Sequence, residues 1–253
     1  KLDELVPVVA FPHLPDQILN FKILEMRLYT MKHHLSFFRP LLLLGTCLLL
    51  FSFSLTACNQ RKAPLMSDLD FSPVDPAACT ETTEVTELVR ITVTGYGDIL
   101  VRLFPETAPE TVKNFQTLVS EHFYDGLTFH RIVEGFMIQG GDPKGDGTGS
   151  STQTIHGEFS ANHFENNLRH IRGVVSMARS SLSMDSASSQ FFIMHATASS
   201  LDGQYAAFGY VVSGMDTVDA IAQATVTTNS SGENSKPTKK IEIAKIVFVK
   251  AGA

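Results

Sequence analysis

Residues 140–147 form a glycine-rich stretch, GGDPKGDG, that could bind either a phosphate or a calcium ion. The stretch lacks the Gly-Lys-Ser/Thr ending that places a lysine on the phosphates in a phosphate-binding loop. It offers Asp142 and Asp146 to a calcium ion, but Lys144 occupies a ligand position and would repel the cation. We therefore interpret the stretch as a loop in which glycine adopts positive φ angles.

Histidine and serine residues suggest two further chemistries. His156, His163 and His170 could indicate a metal site, but their regular spacing fits no common zinc pattern and no cysteine lies near them. The sequence contains no Gly-x-Ser-x-Gly motif, which would indicate a hydrolase with a serine nucleophile. The serine-rich residues 180–189 are typical of a solvated loop. The sequence therefore predicts neither a metal nor a cofactor.

The elements that would position a site begin near Leu88. Two segments of alternating polarity flank a turn at residues 95–98 and predict a β-hairpin. Pro109 begins a predicted helix, and a second helix is predicted at residues 215–224. Further strands are predicted at residues 127–132, 136–139, 173–178, 190–194, 206–211 and 241–249. The pattern predicts a mainly β fold, a closed eight-stranded antiparallel barrel capped by two helices.

The composition narrows the classes of partner and of covalent chemistry. The chain has 253 residues, 43% of them hydrophobic and 18% charged, and its net charge of -6 argues against a nucleic-acid partner. Cysteines occur only at positions 47, 58 and 79, before the predicted barrel. The barrel core is therefore expected to form without disulfides, and the protein is expected to be monomeric.

Five blocks of sequence resemble the cyclophilin family and occur in the family's order. They are residues 129–142, with the sequence FHRIVEGFMIQGGD, and residues 173–178, 189–193, 201–203 and 208–209. The resemblance spans the chain from about Leu88 to Val249, and five ordered blocks are far more specific than one. It implies a cyclophilin-like barrel and peptidyl-prolyl cis-trans isomerase activity.

The chemistry of this activity explains the role that the resemblance implies for Arg131. Rotation about an X–Pro bond is slow because amide resonance must be broken, with a barrier of ~18–20 kcal/mol. In the twisted amide the proline nitrogen regains a lone pair, so a hydrogen-bond donor aimed at it binds the transition state better than either ground state. The resemblance implies that Arg131 is this donor. Judged alone, an arginine between apolar strand residues would more often form a surface salt bridge.

The resemblance also implies the residues that hold the substrate: Phe136, Met137, Gln139, Ala178, Gln190, Phe192, Leu201 and Tyr205. The apolar members would form a pocket for the proline ring, and the two glutamines and the alanine would contact the substrate backbone. Tyr205 and Ser200 depart from many eukaryotic members, which have a histidine and a tryptophan there. Strand alternation places Phe191 and Phe192 on opposite faces, so Phe191 is expected in the core.

A targeting segment is predicted on the amino-terminal side of this domain. Basic residues after Met31 precede an apolar run at residues 41–55, which is the order of a secretory signal. The run is slightly shorter than the ~20 residues of a transmembrane helix, which is the alternative. Leu55-Thr56-Ala57-Cys58 resembles a bacterial lipobox. This resemblance implies cleavage before Cys58, acylation of that cysteine and a stable lipid anchor.

The sequence therefore predicts four segments. Residues 1–30 are expected to be upstream sequence from a misassigned start, with a genuine extension as the alternative. Residues 31–57 are a predicted lipoprotein signal peptide, 58–87 a flexible tether and 88–253 the isomerase domain. The predicted function is the isomerisation of X–Pro bonds in unfolded or secreted proteins outside the cytoplasmic membrane. The alternative function is a catalytically idle module that captures proline-containing segments of a partner.

Overall fold

A computed structural model describes residues 62–252. Within this range the α-helices are α1, Pro109–Ser120, and α2, Met215–Ala222. The strands are β1 Cys79–Thr82, β2 Leu88–Val93, β3 Gly97–Leu103, β4 Arg131–Val133, β5 Met137–Gly140, β6 Val174–Met177, β7 Phe191–Met194, β8 Ala207–Ser213, β9 Val226–Thr228, β10 Asn234–Pro237 and β11 Ile243–Ala251. Short 3-10 helices lie at Met66–Asp68, Pro76–Ala78, Ser160–Asn162 and Ser199–Leu201.

Nine strands form one antiparallel sheet in the order β1-β11-β2-β3-β8-β6-β7-β5-β4, and β9 and β10 form a separate hairpin. The prediction of a mainly β fold with two helices is confirmed. Closure into an eight-stranded barrel is not confirmed, because the order of continuous strands ends at β1 and β4. Among residues 62–252, short pairings join the two sides of the sheet, such as the hydrogen bond of 3.0 Å from Phe129 N to Ile241 O.

Strand β1 corrects the prediction of a flexible tether at residues 58–87. Cys79 to Thr82 pair with Ala251 to Phe248 at the end of β11, so this part of the predicted tether is an edge strand of the sheet. The sequence CTET carries no large apolar residue, and its pairing depends on a strand that follows some 160 residues later. Local patterning therefore gave no sign of it.

Helix α1 and helix α2 bury one face each in the same core as the sheet. The centre of this core is aromatic: the rings of Phe115 and Tyr124 have centroids 5.1 Å apart, and Phe191 meets both edge-on at 5.6 Å. Such arrangements match the positive edge of one ring to the negative face of another. Phe115 comes from α1 and Phe191 from β7, so this packing fixes the helix against the strand that also serves the site.

Glu158 satisfies the amino terminus of α1, which has no side-chain cap of its own. The buried Glu158 carboxylate accepts hydrogen bonds from Glu110 N at 3.0 Å, Thr111 N at 2.8 Å and Thr111 Oγ1 at 2.7 Å. These amides are among those that a helix start leaves without a partner, and a negative charge there also complements the helix dipole.

Replacing Glu158 with alanine is expected to lower the free energy of unfolding by about 3 kcal/mol, because buried donors would lose a charged acceptor. Urea denaturation measures the change. Glu106→Ala is the control, since Glu106 is exposed on the loop before α1 and should change stability by less than about 0.5 kcal/mol. Equal effects of the two substitutions would contradict the capping role.

The predicted upstream extension, the signal peptide and Cys58 lie outside the described residues. Between residues 62 and 252, no helix has both the length and the apolar character required to cross a membrane.

Candidate active site

A cavity of about 250 Å³ lies on the sheet where β4, β5 and β7 are neighbours. Strand register aligns the residues that face it: Arg131 pairs with Gln139, and Gln139 pairs with Phe192. Residues opposite one another on paired strands point to the same face, so these three side chains form one row. The complete lining is Arg131, Phe136, Met137, Gln139, Ala178, Arg179, Phe192, Leu201 and Tyr205.

One wall of the cavity is apolar and closely packed. Met137 and Phe192 are almost fully buried and belong to a second hydrophobic cluster, against which Phe136, Leu201 and Tyr205 pack. The rings of Phe192 and Tyr205 meet edge-on with centroids 5.8 Å apart. This wall offers an apolar surface to a small ring such as pyrrolidine.

Arg131 places its guanidinium at the edge of this wall. Its Nη1 donates to Gln139 Oε1 at 3.2 Å and lies 3.7 Å from Met137 Sδ, and its Cζ lies 6.0 Å from the centroid of the Phe136 ring. Its Nε and Nη2 donate to the two carboxylate oxygens of Glu233 at 2.6 and 2.7 Å. Arg131 therefore lines the cavity and also forms a salt bridge, so the two interpretations of this residue are compatible.

Gln190 is the predicted substrate-binding residue that does not line this cavity. Its Oε1 accepts a hydrogen bond from Gln139 Nε2 at 2.9 Å, and its Nε2 donates to Gly149 O at 2.7 Å. It lines an adjacent cavity of about 450 Å³, together with Gln139, Ala178 and Arg179. Its contacts orient Gln139, which in turn contacts Arg131.

Comparison with known proteins identifies the family. Residues 88–248 match the model for the cyclophilin type peptidyl-prolyl cis-trans isomerases. The chain belongs to this family.

Curated cyclophilin relatives occur in bacteria and eukaryotes. The chain is 46% identical over 114 residues to peptidyl-prolyl cis-trans isomerase B of Bacillus subtilis, covering 45% of this chain and 76% of the relative. It is 40% identical over 150 residues to an isomerase of Schizosaccharomyces pombe, covering 59% of this chain and 93% of the relative. It spans only 26% of the longer isomerases that it matches in Rhizopus delemar and Arabidopsis thaliana.

A solved cyclophilin shares the fold. The crystal structure of a cyclophilin type isomerase from Cryptosporidium parvum, determined in the presence of the dipeptide Ala-Pro, is 32% identical to this chain with a TM-score of 0.57. The match covers 64% of this chain and 98% of the solved one.

The sequence did not predict two residues near the site of this cyclophilin, Arg179 on the cavity lining and Glu233 beside Arg131. Arg179 directly follows Ala178, so its place beside a predicted contact was a usable signal. Its Cζ lies 4.9 Å from the centroid of the Tyr205 ring and 5.2 Å from that of Phe159, where a cation interacts favourably with the ring faces. Glu233 gave no signal, because it meets Arg131 across a separation of 102 residues.

His170 supports the cavity from behind. Its ring is fully buried, with Nδ1 3.1 Å from Asp202 Oδ1 and Nε2 3.0 Å from Ser176 Oγ. It also stacks on Phe192 with centroids 6.0 Å apart. This Ser-His-Asp arrangement is no nucleophilic site, since Ser176 is completely buried and cannot reach a substrate. It holds the Phe192 wall in place.

Asp142, one of two acidic residues in the glycine-rich loop, bonds within the loop. Asp142 accepts hydrogen bonds from the backbone amides of Lys144, Asp146 and Gly147, so its oxygens serve the loop. Gly141 has φ +81°, and a Cβ at this position would lie 2.5 Å from Ser189 O. The interpretation as a loop that requires glycine therefore holds. No group of three or more His, Cys, Asp or Glu residues that could hold a metal is found within residues 62–252.

Thermal stability is expected to fall as pH drops below about 6.5, the ordinary histidine value. Burial lowers the pKa of His170, and more weakly Asp202 acts in the opposite direction. Burial also lowers the pKa of His130. Because the folded state holds these protons less tightly, the unfolded chain binds more of them in this range and is favoured. Thermal denaturation at a series of pH values measures the trend.

A His170→Asn variant tests the assignment of this trend to His170. The variant is expected to be less stable than the wild type near neutral pH, with a difference that narrows as the pH falls. If the difference in stability between the variant and the wild type stays constant as the pH falls, His170 does not contribute to the pH dependence.

Proposed function

We propose that this chain is a peptidyl-prolyl cis-trans isomerase that acts on X–Pro bonds of polypeptides. The observation that carries the proposal is the position of the Arg131 guanidinium at the edge of the apolar cavity, with Nη1 beside Met137 and Gln139. The Cryptosporidium parvum relative was crystallised in the presence of Ala-Pro, which supports proline-containing peptides as the substrate class.

The proposed mechanism needs no covalent step. The proline ring enters the cavity formed by Phe136, Met137, Phe192 and Leu201, and the preceding carbonyl rotates. The twisted amide has less charge separation than the planar amide. Contact with an apolar wall therefore destabilises the twisted form less than the planar ground state. Arg131 then donates a hydrogen bond to the pyramidal proline nitrogen, an interaction absent from both planar states.

A protease-coupled assay with a proline-containing peptide tests the activity. The purified chain is expected to accelerate the slow cis-to-trans phase, which takes tens to hundreds of seconds without a catalyst. The alternative is a binding module without catalytic activity. An unchanged slow phase, together with binding of the peptide, would favour this alternative.

We also propose that the enzyme works outside the cytoplasmic membrane as a monomer, held to a bacterial membrane through an acylated Cys58 and serving unfolded or secreted proteins. Support comes from the signal-like residues 31–57 and the lipobox-like sequence that ends at Cys58. The intact mass of the protein extracted from membranes tests the anchor. A mass without acyl groups on Cys58 would rule it out.

A further inference from the structure

Glu233 holds two donors of the Arg131 guanidinium at once. Nε and Nη2 donate to opposite oxygens of the carboxylate at 2.6 and 2.7 Å, which is the two-pronged geometry of strong arginine–carboxylate pairs. The remaining nitrogen, Nη1, faces Gln139 Oε1 and Met137 Sδ on the cavity lining. The pairing therefore fixes which edge of the guanidinium is turned toward the cavity.

The loop that carries Glu233 is itself held in place. Glu233 lies just before β10, and its backbone amide donates to Asn229 Oδ1 at 2.9 Å. The amide of Asn229 donates in return to Glu233 O at 2.8 Å, and its side chain donates to Ser235 Oγ at 3.1 Å. These bonds close the turn between β9 and β10 and present the carboxylate at a defined position.

Gln139 restrains Arg131 from the other side. Nη1 of Arg131 donates to its Oε1, its Nε2 donates to Gln190 Oε1 at 2.9 Å, and Gln190 donates to Gly149 O at 2.7 Å. An arginine side chain loses considerable rotamer freedom when it is held in one geometry. Contacts on two sides remove that freedom before a substrate binds.

We propose that Glu233 is a positioning residue that orients Arg131 for catalysis. The inference rests on the proposed isomerase activity and adds a residue to its machinery. Glu233 does not line the cavity and acts through Arg131. Its carboxylate holds the Nε and Nη2 edge so that Nη1 is presented to the cavity without a search among rotamers.

A carboxylate beside the guanidinium also weakens the positive field at the cavity, which would oppose catalysis. Both side chains are partly exposed, at 31% for Arg131 and 38% for Glu233, so water screens this effect. The orientation of a donor is not screened, since a hydrogen bond weakens steeply with distance and angle. The net effect of Glu233 is therefore favourable.

The paired carboxylate of Glu233 is ionised at neutral and at mildly acidic pH. The hydrogen bonds from Arg131 lower the pKa of Glu233 from 4.5 to about 2. The effect of Glu233 on turnover is consequently expected to be the same at neutral and at mildly acidic pH.

The full-length chain carrying Glu233→Ala is expected to lose about tenfold in kcat/KM, mainly in kcat, because the apolar wall that binds the ring is unchanged. Glu233→Gln should lose less, since one acceptor oxygen remains. Glu84→Ala is the matched control: it breaks an exposed pair with Lys250 at 2.6 Å, away from the cavity, and should leave kcat/KM unchanged.

A double-mutant cycle separates positioning from a general structural role. In an Arg131→Ala background, Glu233→Ala should have no further effect on kcat/KM, because the group that it orients is gone. An equal loss in both backgrounds, or a gain in activity on Glu233→Ala, would overturn the proposal. Absence of catalysis in the unmodified chain is a separate outcome and would refute the proposed function instead.

Discussion

Replacing Arg131 with alanine is expected to lower kcat/KM by about 10²–10³ while leaving the fold intact, since a donor that acts only on the transition state is removed. The guanidinium lies on the cavity lining with Nη1 within 3.2 Å of Gln139 Oε1. The protease-coupled proline-peptide assay measures the loss, and circular dichroism checks the fold. This is the largest catalytic effect that a single substitution should produce in this chain.

Arg172→Ala provides the matched control for that experiment. Arg172 is also a partly exposed arginine in an ion pair, with Nη2 2.8 Å from Asp219 Oδ2, but it does not line the cavity. Its loss should leave kcat/KM within about twofold of the wild type. If Arg131→Ala kept most of the activity, or if both variants lost it equally, Arg131 could not be the donor.

Replacing Phe192 with alanine should lower the free energy of unfolding by about 3–5 kcal/mol and raise KM strongly. Phe192 is nearly buried, packs edge-on against Tyr205, stacks on His170 and forms a wall of the cavity. Its loss removes both core packing and the surface that would hold the proline ring. Urea denaturation and steady-state kinetics measure the two effects.

The neighbouring Phe191 separates the two roles of Phe192. Phe191 is fully buried among Phe115, Tyr124 and Phe129 on the other side of β7, away from the cavity. Phe191→Leu and Phe192→Leu should destabilise the chain by similar amounts, yet only Phe192→Leu should raise KM. Equal changes in KM for the two variants would mean that Phe192 acts through stability alone.

Several features of the fold followed from local sequence. The apolar spacing after Pro109 and around residues 215–224 predicted α1 and α2 closely. Apolar residues that recur every three to four positions lie on one face of a helix, and that face is buried. Alternation around the turn at residues 95–98 predicted the β2–β3 hairpin for the corresponding reason in strands. Strand alternation also placed Phe191 and Phe192 on opposite faces of β7.

Features that depend on distant partners did not follow in this way. Strand β1 exists because β11 offers it an edge, and the continuous strand order leaves closure of the sheet unconfirmed. Neither outcome has a periodicity that a short window of sequence could reveal.

The amino-acid order was sufficient for the family resemblance, the helices, most strands and most of the residues that line the cavity, since these depend on neighbours along the chain and on ordered motif blocks. Folding added the contacts that aim the chemistry: Glu233 reaches Arg131 across 102 residues, and Arg179 turns its guanidinium onto the Tyr205 ring. Such pairs depend on the positions that the loops take in the folded chain. A hydrogen bond depends on distance and angle, so local sequence patterns do not predict it.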